Sequence, residues 1–460
     1  MNYHRKRPGN GRKEQDRMNL VYIHTHDSGR YWQPYGAPVC MPETMRFTEE
    51  GLLFRNAFTA APTCSPSRAA MLTGRAAHSS GMLGLAHRGF SLADPEMHLS
   101  AFLRRNGFET VLAGVQHEAA DDKDLSYERI ISDPVLKNSP EADLVNAGRA
   151  AAYLREAHER PFFLSFGMFS THRPYPDHRA YGIDPESVKP PFPAADNEAT
   201  RADMADYTSS VLIADRSAGI VLDALKESGA YDDTVVLMTT DHGLAWPRMK
   251  CTLYDTGIGV ALILRVPGMK RAGQQTDRLV SQVDLFPTIC DLLGLEKPAG
   301  LQGVSLLPVI EEDRPVRDAV FAEVNYHAAY QPMRCVRTER YKLIRRYGEA
   351  EKIVWPNIDD SPAKEQLYAA VKENGTGEDG PVAAPVEEFY DLLKDPEEQE
   401  DRISDPAYAE DIASLRAGMK HWMKETEDPL LLNGGIVPRP AGAVVNRKSC
   451  YSPTEKDYEA

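Results

Sequence analysis

From residue 19 to about residue 310 the chain alternates short apolar runs with amphipathic stretches. The apolar runs predict strands at 20–23, 110–113, 162–166, 235–238 and 261–265. They are continuous rather than alternating, as strands covered on both faces should be. Strands separated by helical stretches imply an α/β architecture around a mostly parallel sheet. The clearest helix lies within 204–228, where Val211, Ala214, Ala218, Val221 and Leu225 recur at steps of three and four. Gly229 follows as its stop. Beyond residue 315 the texture changes. AVFAEVNYH and CVRTERYKLIRRY predict a smaller antiparallel sheet. Residues 348–385 are polar and rich in Gly, Pro and Ala, which predicts excursions around a short helix. EEFYDLLKDPEEQED predicts a solvated acidic face, followed by a helix over 408–425 and an irregular tail from Gly434. The predicted organisation is a disordered basic arm (1–17), a large α/β domain (18–315) and a smaller C-terminal α+β domain (316–460).

Charge narrows the function. With 53 Lys and Arg against 68 Asp and Glu, the net charge is −15. That disfavours a general nucleic-acid binder and docking on anionic lipid. No apolar run is long enough to span a bilayer, and the basic start lacks the apolar stretch of a secretory signal. A cytoplasmic protein is expected. The six cysteines are scattered without a CxxC pair, which predicts free thiols.

Four apolar runs lead into reactive side chains. LVYIHTHD ends in His26 and Asp27, TVLAGVQHE in His117, FFLSFGMFSTHRP in His172, and VVLMTTDHG in Asp241 and His242. Ligands of open α/β sheets bind beyond the carboxyl ends of strands. Carboxylates and imidazoles gathered there suit a divalent metal with acid–base chemistry. In TCSPSRAAMLTGR, Ser65 can cap a helix that begins at Pro66, which places Cys64 at the positive helix end. There a thiol's pKa falls and anions are welcome. Arg68, one turn along, can point to the same spot.

Cys64-Ser65-Pro66-Ser67-Arg68 followed by Leu72-Thr73-Gly74-Arg75 resembles the signature of the type I sulfatases. The resemblance implies an alkaline-phosphatase-like fold, and oxidation of Cys64 to formylglycine by a maturation enzyme. It also implies one divalent metal per chain, Ca²⁺ in the first instance. NLVYIHTHDSG is similar to the family's first metal strand, with Asp27 matching the second of two aspartates. His26 stands where the first is usual and is counted with the ligands, although calcium prefers oxygen. TTDHG gives Asp241 and His242 as further ligands, and Lys250 matches the lysine that grips sulfate. His117 matches the histidine beside formylglycine, but the lysine usual two residues earlier is Val115. His172 matches the histidine near the leaving group.

HSSGMLGLAHR, YHAAYQPMRCVRT and WMKETEDPLL lean toward the sulfamidase branch. In the second of these, His327 and Arg334 are expected to contact the sugar. The resemblance implies hydrolysis of a sulfate ester or sulfamate, on a small sulfated sugar such as N-sulfoglucosamine or an O-sulfated glycosaminoglycan fragment. A hydroxyl of the hydrated formylglycine attacks sulfur, His172 protonates the leaving atom, and His117 takes the proton whose loss expels sulfate. Two alternatives stay open: a phosphonate monoester or phosphodiester hydrolase with the same modified cysteine, and a silent protein that binds sulfated sugar. The assembly, including a homodimer, is left open.

Overall fold

The computed structural model describes residues 17–136, 139–348, 353–373 and 385–460. Most of the predicted basic arm therefore lies outside the described residues. Eight strands form the large sheet, in the spatial order Gln274–Thr276, Leu52–Phe54, Leu262–Arg265, Thr234–Thr239, Asn19–His24, Phe162–Gly167, Glu109–Gly114 and Arg129–Ile130. Leu262–Arg265 runs antiparallel to both its neighbours and the other pairings are parallel.

Both faces of this sheet are covered, which explains the continuous apolar runs. Leu20, Tyr22, Leu112, Phe163, Val235 and Leu237 pack with Ala69, Met71 and Leu72 on one side. Val21, Ile23, Val111, Leu164, Val236 and Met238 pack with Ala147, Ala151, Ala214, Ala218, Val221 and Leu225 on the other. The latter residues come from helices Pro140–Leu154 and Glu198–Glu227. The long helix starts six residues before the predicted window because Asn197 and Thr200 close a capping box.

The smaller sheet is antiparallel, in the order Ala319–Tyr326, Tyr330–Thr338, Tyr341–Arg346 and Glu387–Asp391. One of its faces packs Val336, Leu343 and Phe389 with Ile412, Leu415 and Met419 of helix Ala409–Glu425. The other packs Cys335, Ile344 and Tyr390 with Phe58, Leu253 and Ile258 of the large unit. The acidic segment EEFYD is thus not a solvated face. It is the fourth strand, with Glu388, Phe389, Tyr390 and Asp391 buried. Its two apolar residues, Phe389 and Tyr390, are adjacent and face opposite sides of the sheet, and were hidden among flanking charges.

Candidate active site

Strands Thr234–Thr239, Asn19–His24, Phe162–Gly167 and Glu109–Gly114 are consecutive parallel neighbours. Their carboxyl ends therefore emerge along one edge, and Asp241, His242, Asp27, His26, His172 and His117 follow directly. Asp27 and His117 turn away from extended backbone with φ of 37° and 71°. That region costs a non-glycine residue of order 1–3 kcal/mol unless its surroundings hold it. Beside His117, the amides of Glu118 and Ala119 donate to Gln116 Oε1 at 2.5 and 2.8 Å, which fixes the turn. Asp143 accepts from the amides of Phe169 and Ser170 at 2.7 and 2.8 Å and so clasps the loop that presents His172.

Cys64 opens helix Cys64–Thr73, with Thr63 as its N-cap. Ser65 does not cap the helix; its Oγ accepts from the amide of Ala86. Cys64 is 1% exposed. The helix end should draw its thiol pKa down, but burial, aided by Asp27 and Asp241, outweighs Lys250 and Arg68 and pushes it well up. The unmodified side chain is therefore a protonated thiol at neutral pH.

Around it, Asp27, Cys64, Asp241 and His242 each present one ligand atom, all within 4.8 Å of one another. His242 Nε2 lies 3.4 Å from Cys64 Sγ, 3.4 Å from Asp27 Oδ1 and 3.7 Å from Asp241 Oδ2. Its Nδ1 is 3.0 Å from the carbonyl of Gly243, which can only accept, so Nδ1 carries the hydrogen. Nε2 is thereby left facing a space already lined by carboxylate oxygens, where it can ligate a cation. Mutually repelling donors held together in a buried site fit a divalent cation. His26 is not in this group. Its Nδ1 donates to the carbonyl of Met168 at 2.8 Å, and its ring lies 5.6 Å from those of both His117 and His172.

Positive charge is supplied locally. Arg68 Nη2 is 2.9 Å from Asp241 Oδ2 and 2.8 Å from the carbonyl of Thr25, and Nη1 meets His24 Nδ1. Lys250 Nζ is 2.8 Å from Asp27 Oδ2. Despite burial, the Arg68 guanidinium and the hydrogen bond from the Asp27 amide help to hold Asp241 below the usual carboxylate range. Burial, followed by Arg68, lowers His117 well below an ordinary imidazole, so it is neutral and can accept a proton. His172 Nδ1 donates to the carbonyl of Arg173 at 2.5 Å, leaving Nε2 for a ligand.

The smaller sheet contributes His327 but not Arg334. His327 is buried and faces Lys250 and Asp359. Arg334, expected at the sugar, is fully enclosed. It pairs with Asp428 at 2.6 and 2.9 Å and with Glu323 at 3.4 Å, and donates to the carbonyls of Val324 and Met333. No donor is left for a ligand. Three residues escaped the sequence reading. His24 backs Arg68. His87 stacks on His117, with ring centres 5.6 Å apart and Nδ1 3.4 Å from His117 Nε2. Asp359 lies 3.4 Å from Lys250. His87 is the penultimate residue of one of the stretches that leans toward the sulfamidase branch, and His24 ends the first strand; Asp359 carries no local signal.

The fold and the pocket define an α/β protein with candidate metal-ligating and acid–base side chains gathered along one edge of a mixed sheet. The family profile described as Sulfatase matches residues 18–295, and the chain belongs to that family. A second profile, N-sulphoglucosamine sulphohydrolase, C-terminal, matches residues 242–374. The chain is 28% identical to N-sulphoglucosamine sulphohydrolase of Homo sapiens, with 88% of each chain covered. A solved structure of a protein bound to its substrate D-glucosamine-2-N,6-O-disulfate superposes with a TM-score of 0.68 at 18% identity, covering 90% of this chain and 98% of the other. The phosphonate monoester hydrolase of Agrobacterium radiobacter gives the same TM-score at 22% identity, covering 92% and 100%. At these identities the superpositions show the fold alone.

Proposed function

We propose that this sulfatase removes sulfate from a sulfated amino sugar, with an N-sulfoglucosamine-like sulfamate as the leading substrate and residue 64 acting as formylglycine. The observation that carries the reading is the convergence of Cys64, Asp27, Asp241 and His242 at a helix start, flanked by Arg68 and Lys250. The sulfamate preference is supported by the match to the sulphohydrolase in both halves of the chain.

Asp27, Asp241, His242 and the side-chain oxygen of residue 64 would hold one divalent cation, which when bound supplies Lewis-acid polarisation of the sulfate and of the nucleophile. The family resemblance favours Ca²⁺, while the imidazole nitrogen also admits ions such as Mn²⁺. Hydrated, the aldehyde of residue 64 supplies two hydroxyls, one to attack sulfur and one whose proton loss releases sulfate. The chain's own groups do the rest. Lys250 grips the sulfuryl oxygens, and Arg68 keeps Asp241 ionised and adds positive charge beneath residue 64. His172 Nε2 delivers a proton to the leaving atom. His117, neutral and with Nδ1 buried and unpartnered, takes a proton, and His87 at the pocket rim lies beside it. Cys64 is too enclosed for a second protein to reach in the folded chain. Its oxidation is therefore assigned to a maturation enzyme acting before folding.

The test is a rate panel on protein whose residue 64 is shown by peptide mass to be formylglycine. Substrates are N-sulfoglucosamine, glucosamine 6-O-sulfate, 4-nitrophenyl sulfate and a 4-nitrophenyl phosphonate monoester. Sulfamate cleavage should lead, and Cys64→Ala should abolish every rate while the protein still melts cooperatively. A phosphonate rate above all the sulfate rates would overturn the reading.

A further inference from the structure

Asp359 has no part in the reaction described above, yet the fold builds a seat for it. It follows the turn Trp355–Asn357, and Asn357 ties that turn to the neighbouring hairpin. Asn357 Oδ1 accepts from the amide of Ala329 at 2.8 Å, and Nδ2 donates to the carbonyl of Ala329 at 3.2 Å and to Gln331 Oε1 at 2.9 Å. The same hairpin turn carries His327. The loop and His327 are thereby locked together on the small-sheet side of the pocket.

Two polar atoms there are enclosed and lack a hydrogen-bond partner: Asp359 Oδ2 and His327 Nδ1. His327 as a whole is only 8% exposed. Lys250 Nζ ion-pairs with Asp359 from one side, 3.4 Å from Oδ2 and donating to Oδ1 at 3.5 Å, and leaves Oδ2 without an aligned hydrogen bond. Lys250, His327, His172, Arg173, Tyr175 and Cys251 face Asp359; burial opposes ionisation, but Lys250 foremost holds the carboxylate below its ordinary range. Buried polar atoms are nearly always satisfied, so unsatisfied ones beside a reactive imidazole mark where a ligand completes the bonding. Asp359 accepts only. Its complement is a donor or a cation on the leaving group, on the side where His172 acts.

We propose that Asp359, seated by Asn357 and flanked by His327, recognises the nitrogen of an N-sulfated amino sugar. Its carboxylate accepts a hydrogen bond from the sulfamate N–H and pairs with the ammonium of the product. The inference deepens the sulfatase reading and rests on it. In the overall reaction water adds across the S–N bond. Sulfur gains an oxygen that derives from water, and nitrogen keeps the bonding pair and takes one proton from His172. The free amine then takes a second proton from solvent and becomes the cation that Asp359 pairs with. An alcohol released from an O-sulfate never reaches a cationic state, so a carboxylate here discriminates for nitrogen. A hydrogen bond to a charged group makes that discrimination roughly 10- to 100-fold.

The test compares the wild type with Asp359→Asn, an isosteric change that preserves the seat. The ratio of kcat/KM for N-sulfoglucosamine to that for 4-nitrophenyl sulfate should fall by about 10- to 100-fold. Calorimetric titration should show glucosamine binding more tightly than glucose to the wild type, and that difference should vanish in the variant. A ratio that does not change would overturn the proposal, because it would mean that Asp359 only steadies Lys250. A wild type that cleaves the aryl sulfate but not the sulfamate would overturn the substrate reading. In that case the calorimetry decides, and a glucosamine preference absent from the wild type, or kept by the variant, would overturn the role of Asp359 independently.

Discussion

A side chain's second hydrogen-bonding end often decides what its first end can do. The bond from His242 Nδ1 to Gly243 leaves Nε2 facing Asp27 and Cys64. Without a cation, that nitrogen and two carboxylates face one another inside the protein. A bound ion should therefore stabilise the fold, by about 2.7 kcal/mol at a hundred times its dissociation constant. Saturating Ca²⁺ or Mn²⁺ added to chelator-treated protein should raise the melting temperature by a few degrees, and the larger shift identifies the preferred ion. Asp241→Asn should abolish the shift; an unchanged melting curve with both ions would refute the site. At this scale the sequence was informative where chemistry is local. Asp27, His117, His172, Asp241 and His242 each sit within a few residues of a strand end, and Cys64 and Arg68 share one helical turn. Asp359 was illegible because its meaning depends on Lys250, 109 residues away. Arg334 was misread because no residue pattern separates an arginine lining a pocket from one neutralised inside a sheet.

At the scale of elements, the smaller sheet reaches the pocket only if it stays registered against the large unit. Arg334 is central to that. It spans Asp428 and Glu323, both buried, and Glu323 also accepts from the amide of His78 at 3.0 Å. Asp428 in turn accepts from the amide of Leu430. Removing one partner of a buried pair leaves an uncompensated charge and costs about 3–5 kcal/mol. Arg334→Met should lower the denaturant midpoint accordingly, while KM for 4-nitrophenyl sulfate in the folded fraction stays the same. A raised KM with unchanged stability would return Arg334 to the binding site. Five of the eight large-sheet strands were readable because their apolar runs are local, while the short Leu52–Phe54, Gln274–Thr276 and Arg129–Ile130 were not read; in the smaller sheet all strands but one were readable. The exception, Glu387–Asp391, lies in a stretch dominated by charge, and Tyr341–Arg346 and helix Ala409–Glu425 are what draw it inside.

For the whole molecule, stability against pH is a contest between buried groups of opposite sense. His24, His26, His117 and His327 are all held below an ordinary imidazole, chiefly by burial. The unfolded chain binds their protons more readily, so these groups cost stability as pH falls through about 6.5. Glu118 works the other way. Neither of its carboxylate oxygens has a hydrogen-bond partner, and burial raises its pKa to about 8 against the field of Arg68, with Asp122 and Asp241 reinforcing the rise. Tyr22 and Tyr127 also face it. Below about 4.5 both states hold its proton and no penalty arises. Between about 4.5 and 8 the unfolded chain ionises first, so the folded state loses stability by up to about 1.4 kcal/mol per pH unit. The wild-type curve sums both senses and cannot assign either, but Glu118→Gln deletes one of them without changing shape. The difference between wild-type and variant unfolding free energies, measured by urea titration at steps from pH 5 to 8, should therefore grow steadily in favour of the variant. A difference independent of pH would mean that Glu118 is ionised in the folded protein and is screened by Arg68 after all.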